Sequence, residues 1–253
     1  MVGDEALAPF EIRCLAVMAL IPEWHLPSEI AALSRMALAH IPKPSANRKR
    51  TTKKATVNPT PTNLLPYLKR WCRRSLVIEE DEDWKIAPGR SHEILSKAVE
   101  IGAIVDVMNA WLHVFDYDVS IRATIMARTF LYTQDHQGLL EALELLGDEA
   151  GLREGAPPSF VPFEDLAPEE VTDLLPQPLR IPYLDHSFRS ALLRGDRLNP
   201  ALATRLPHDD TPLHRQIRAR AQALFILQGD DVSIEAMDDN DALHMEIMAL
   251  KAA

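Results

Sequence analysis

"NRKRTTKKATVNPTPTNLLPYLKRWCRRS", Asn47 to Ser75, decides how this chain is read. Its second half has the two faces of a surface helix. Wound at about 100° per residue from Leu64 to Leu76, it places Leu64, Leu65, Leu68, Trp71, Cys72 and Leu76 on one arc. Lys69, Arg70, Arg73 and Arg74 fall on the other. Pro66 is acceptable in such a helix as a first-turn residue. The first half, with Arg48, Lys49, Arg50, Lys53 and Lys54, belongs to a loop over residues 43–62 rich in Pro, Thr, Asn and cations.

Charge sets this window apart. Between Lys43 and Arg74 lie ten of the 27 Lys and Arg residues and none of the 37 Asp and Glu. The remaining 17 cations face all 37 acids, so a basic island sits on an acidic body whose total is −10. That total excludes a protein that coats nucleic acid along its whole surface, and it leaves room for one local contact.

Outward from the window, apolar spacing predicts helices. Pro9 opens "PFEIRCLAVMALI", where Phe10, Cys14, Val17 and Ile21 recur at helical spacing. Pro27 opens "PSEIAALSRMALAHI", which Pro42 stops. After the basic helix, "SLVIEE" and "DWKIA" read as two short strands joined by an acidic turn. A long helix is expected from Ser91, its N-cap, to Phe115, with Ile94, Leu95, Ala98, Ile101, Val105, Met108 and Leu112 along one side. Beyond Ser120 the pattern is of short helices punctuated by Pro and Gly-Asp, with a Pro-rich linker over 154–168. The expected fold class is mainly α: a domain over 1–90 with one small β-hairpin, then a helical domain over 91–253.

The order helix, helix, loop, helix, hairpin across residues 9–88 resembles the winged-helix branch of the helix-turn-helix superfamily. The resemblance covers about a third of the chain and rests on element order and face chemistry, not on a signature motif. It implies duplex DNA as partner, with Lys69, Arg70, Arg73 and Arg74 on the groove-facing helix. Arginine there can bond phosphates or read guanine edges, and lysine gives less directional phosphate contacts. Arg48, Lys49, Arg50, Lys53 and Lys54 form an arm along the backbone or into an adjacent groove. One departure from the family pattern stands out. The expected wing tip is Glu79 to Asp83, five acids in a row that repel phosphate.

In the C-terminal half, "ALLRGDRLNPAL" and "LFILQGDDVSIEAM" place two Gly-Asp pairs, at Gly195 and Gly229, each after an apolar helix end. Their spacing resembles tetratricopeptide-like helical hairpins, with a weaker echo in "LELLGDEAG" from Leu143 to Gly151. Stacked hairpins of that kind imply a groove for a protein partner. The apolar closing stretch "LHMEIMALKAA" implies a helix that packs back on the body or a chain that continues.

Catalytic patterns are missing. No phosphate-cradling glycine loop, H-E-x-x-H, C-x-x-C or G-x-S-x-G occurs. In "PHDDTPLH", His208, Asp209, Asp210 and His214 have ligand chemistry, but Asp210 and Thr211 before Pro212 are explained by a helix start. Asp116 and Asp118 read as a turn capping the next helix. No metal, cofactor or catalytic residue is expected. Cys14 and Cys72 are too few for a disulfide framework and read as buried thiols. The acidic N-terminus lacks the pattern of an export signal, and no apolar run approaches the ~20 residues of a membrane span.

The first expectation is therefore a cytoplasmic, non-enzymatic DNA-binding protein, either a transcription regulator or an accessory subunit or piece of a larger DNA-processing assembly. Its helical half would hold a protein partner. The alternative is an adaptor whose basic face docks an acidic protein, which the acidic hairpin favours. A metal-dependent enzyme comes third.

Overall fold

The computed structural model describes residues 6–39, 59–115, 118–149, 159–208 and 211–230. The protein is mainly α and divides into two compact units, Met1–Leu166 and Ala167–Ala253. The expected boundary after residue 90 falls inside the first unit, because the helices that follow the hairpin pack on those that precede it.

That unit is built around α1 (Pro9–Leu20). Every residue from Cys14 to Leu20 is fully buried, so α1 is a core helix rather than a surface helix with one apolar stripe. Around it lie α2 (Pro27–Ala39), α4 (Ser91–Glu100), α5 (Ile104–Val114) and α6 (Val119–Thr133). The Trp111 indole on α5 donates to the Val17 carbonyl at 2.9 Å. The basic helix α3 (Pro61–Arg73) packs on α2 and on the hairpin.

The expected long helix is two. Gly102 takes a left-handed φ of 67°, and the chain closes α4 with bonds from Gly102 N to the Val99 carbonyl and from Ala103 N to the Ala98 carbonyl, both 2.8 Å. Ser91 opens α4 but does not cap it, since its hydroxyl donates to Asp165 at 3.2 Å. Asp118 does cap α6, accepting from Ile121 N at 2.9 Å. Helix α7 (His136–Glu149) folds back on α6 and runs straight through Gly147, so the third Gly-Asp echo ends no helix. Where the Pro-rich stretch is described again, Phe160 and Phe163 are buried, so this part is core.

Tight packing between α6 and α7 yields a test. Exchanging glycine for alanine inside a helix ordinarily stabilises by about 1 kcal/mol. At Gly138 a Cβ would meet the Phe130 ring and the Asp135 carboxylate at 2.9 Å. Gly138→Ala is therefore expected to destabilise by about 1–3 kcal/mol, the range for forced overpacking. A melting temperature equal to or above that of wild type would show that Phe130 gives way.

The strands are β1 (Val77–Glu80) and β2 (Asp83–Ile86), antiparallel, with Glu80 opposite Asp83 and Val77 opposite Ile86. Asp81 and Glu82 turn the chain with φ of 48° and 71°. Two successive left-handed residues give the tight turn that suits a twisted hairpin. On its other side β2 meets His25 through an isolated antiparallel bridge to Trp84, which adds a one-residue third strand.

In the second unit, α8 (Pro168–Leu174), α9 (Gln177–Arg194), a 3-10 turn over Pro200–Arg205 and α10 (Pro212–Gln228) surround a core that includes Leu184, Phe188, Leu202, Ile217 and Phe225. Helices α9 and α10 run parallel: Asp185 pairs with Arg220, Phe188 meets Phe225 edge-on at 6.0 Å, and Gln228 reaches the Asp196 carbonyl at 3.1 Å. Gly195 and Gly229 close them in the same way, with φ of 74° and 76°. The Gly-Asp spacing thus relates two equivalent helix ends, joined by a 3-10 turn instead of a returning helix. Residues 231–253 lie outside the described residues.

Candidate nucleic-acid interface

Helix α3 starts earlier than its apolar pattern suggests. Thr60 caps it, accepting from Asn63 N at 3.3 Å, while Asn63 Oδ1 accepts from Thr60 N at 2.6 Å. Pro61 takes the first helical position, where its missing N–H costs nothing. Pro66 consequently sits in the second turn, not the first. It leaves the Thr62 carbonyl without its helical partner, which an exposed residue tolerates because water can take the bond.

Leu64, Leu68, Trp71 and Leu76 are buried, Cys72 is half-buried, and Leu65 stands exposed. The outward face consists of Thr62, Leu65, Pro66, Lys69 and Arg73. Lys69 and Arg73 follow each other by one turn, and among the described residues neither pairs with an acid.

Arg70 and Arg74 are different. They lie half-buried on the flank shared with Tyr67. The Arg70 guanidinium is paired with the buried carboxylate of Glu11 and stacks 5.0 Å from the centre of the Tyr67 ring. Glu11 Oε1 also accepts from the Trp71 indole at 2.8 Å, and its other oxygen accepts from Ala8 N at 2.9 Å. One carboxylate thus ties the start of α1 to the last turn of α3. Arg70 is a positioning residue, a role its place in the sequence does not betray, since Glu11 lies 59 residues away.

The turn end of the hairpin beside α3 is acidic. Glu79, Glu80, Asp81 and Glu82 are all in solvent. Arg48, Lys49, Arg50, Lys53 and Lys54 lie outside the described residues.

Other chemistry is sparse. Burial, above all, pushes the Cys14 thiol up to about 11, which makes it an inert core group. Thr211 caps α10, accepting from His214 N at 3.2 Å, which accounts for the "DDTP" pattern as a helix start; Asp209 and Asp210 lie outside the described residues. Among the described residues no group of three His, Cys, Asp or Glu side chains is placed to hold a metal, and no helix is long and apolar enough to cross a membrane. In the second unit, Leu193, Ile226 and Leu227 near the ends of α9 and α10 are exposed.

Comparison with protein-family models, with curated proteins and with solved structures found no match.

Proposed function

We propose that this chain is a non-enzymatic DNA-binding protein, or the DNA-binding part of a larger assembly, and that its N-terminal portion works as a winged-helix-like module. The order of α1, α2, α3 and hairpin supports that reading. The observation that carries it is the unpaired cation couple on the outer face of α3. Like charges one helical turn apart repel by a few tenths of a kcal/mol, and about 0.2–0.5 kcal/mol is recovered when an opposite charge joins them. Lys69 and Arg73 have no such acid among the described residues, on a face that also exposes Thr62 and Leu65. A phosphate backbone supplies one. The sequence adds Arg48, Lys49, Arg50, Lys53 and Lys54 just ahead of the helix, so the counterion-release contribution exceeds that of α3 alone. Arg70 supports this surface through Glu11, and Arg74 stands at its edge. The helical second unit would serve a protein partner.

The test is fluorescence anisotropy of a labelled duplex of about 25 base pairs at several salt concentrations. Wild type is expected to bind with a steep salt slope, and Lys69→Ala/Arg73→Ala is expected to flatten the log–log slope by about 2. Absence of binding at about 50 mM salt overturns the reading.

A second reading is favoured by the exposed Glu79 to Glu82 beside α3. Four acids next to a groove-facing helix repel phosphate, and a protein partner that meets α3 with its own acids need not approach the hairpin. On that reading the same cations bind an acidic protein surface and no duplex.

A further inference from the structure

The outer face of the hairpin carries a feature that DNA binding does not use. Trp84 and Ile86 point into the core, so their neighbours Asp83 and Lys85 point out. Ile78 stands opposite Lys85, and Glu80 opposite Asp83. The His25–Trp84 bridge continues both rows, setting Trp24 beside Lys85 and Leu26 beside Asp83. The Lys85 ammonium lies 6.0 Å from the centre of the Trp24 ring. Trp24, Leu26 and Ile78 are 38%, 54% and 38% exposed, with Lys85 standing between Trp24 and Ile78 and Asp83 beside Leu26, so apolar and charged side chains alternate across the three strands. Glu80 and Asp83 share this face, and Asp81 and Glu82 stand in solvent at the turn beside it.

We propose that this face docks a partner protein through an extended segment in which Lys or Arg alternates with apolar residues. Each part of the surface narrows the choice. The acids repel nucleic acid, anionic lipid and acidic protein alike. Acidic side chains on a short edge strand are accounted for by protection against sheet-to-sheet pairing. That protection does not explain an exposed tryptophan at the end of the row. The chain's other tryptophans, Trp71, Trp84 and Trp111, are at most 1% exposed. An exposed tryptophan with an exposed leucine two residues on, one lysine over its ring and an acidic turn nearby has the make-up of a binding hot spot, in which the aromatic supplies affinity and the mainly acidic surroundings select the partner's charge. A partner segment with alternating side chains presents its apolar set to Trp24, Leu26 and Ile78 and its cations to the acids. This face includes neither Lys69 nor Arg73, so the proposal does not depend on DNA binding.

The probe is a fluorescein-labelled 12-residue peptide alternating lysine and valine, titrated into the full chain. Controls are peptides alternating lysine with serine and glutamate with valine. Because the other tryptophans are buried, acrylamide quenching of tryptophan fluorescence reports on Trp24. The lysine–valine peptide is expected to bind and to shield Trp24 from acrylamide. Trp24→Ala is expected to weaken it about tenfold or more, as hot-spot truncations do, and Glu80→Gln/Glu82→Gln to weaken it at low salt. Lys69→Ala/Arg73→Ala is expected to leave it unchanged. The proposal is overturned by no binding, by unshielded Trp24, by equal binding of the lysine–serine peptide, or by undiminished affinity in Trp24→Ala. Trp24→Phe, which retains an aromatic anchor, is expected to keep most of the affinity, and its loss there to the level of Trp24→Ala also overturns the proposal.

Discussion

Asp165→Ala is expected to cost the N-terminal unit about 3–5 kcal/mol, the range for breaking a buried ion pair from one side. Arg128 on α6 is fully buried and donates through Nη2 to both Asp165 oxygens, at 2.6 and 2.7 Å. Its Nε and Nη1 are buried with no partner among the described residues, where the Asp165 carboxylate is the acceptor it has. Removing it strands a guanidinium in the core and takes the acceptor from Ser91 as well. Asp165 is 30% exposed, and water entering there holds the loss toward the lower end of that range. The double replacement Arg128→Met/Asp165→Leu is expected to recover most of the stability, because an apolar pair of similar volume has no charge to desolvate. All four tryptophans lie within residues 1–166, so urea unfolding followed by tryptophan fluorescence reads this unit alone. A loss below about 1 kcal/mol in the single variant, or a double variant as unstable as the single, would show that the pair does not hold α4, α6 and the 159–166 segment together.

Glu11→Ala is expected to lower stability by about 3 kcal/mol, since hydrogen bonds to a charged group contribute about 1.5–3 kcal/mol each and the buried donors left behind stay unpaired. Glu11 is 5% exposed and serves three donors from two helices: the Trp71 indole, the Arg70 guanidinium and the Ala8 amide. For a unit of this size the loss corresponds to a fall in melting temperature of about 10 °C. Glu11→Gln keeps the shape and one acceptor oxygen and is expected to lose about half as much. Arg70→Ala, at a side chain 41% exposed, is expected to lose less than Glu11→Ala. The ordering is the check. If Arg70→Ala costs as much as Glu11→Ala, the pair rather than the indole bond anchors α3. On the DNA-binding reading, Glu11→Gln should also weaken duplex binding without changing the salt slope, because it disturbs the seat of α3 and removes no phosphate contact.

Much of the fold was legible from local chemistry. Pro9 and Pro27 open helices because a first-turn residue needs no amide hydrogen, whereas the same role of Pro61 was missed because the apolar stripe starts only at Leu64. Gly195 and Gly229 end helices because the closing residue needs a positive φ. Alternation in "DWKIA" and the acids before it gave the hairpin. The break at Gly102 was missed because apolar spacing continues across it, and periodicity registers a stripe without detecting a change of axis. The division after Leu166 was missed for a related reason. Residues 1–90 have the element order of a self-sufficient module, yet α1 is buried on all sides and needs α4, α5 and α6 to cover it.

For the candidate interface, helical winding separated cations from core residues but did not distinguish Lys69 and Arg73 from Arg70 and Arg74. By itself the sequence determined which side of α3 is apolar, where the helices opened by Pro9 and Pro27 and closed by Gly195 and Gly229 begin or end, and that the basic charge is segregated, because these follow from side-chain type and the fixed geometry of a helix. Only the tertiary structure decided which cations remain free and which side chains form the outer row of the hairpin. Those outcomes depend on contacts such as Glu11 with Arg70, or Trp24 with Lys85, between residues about 60 positions apart, and a local period carries no information over that distance.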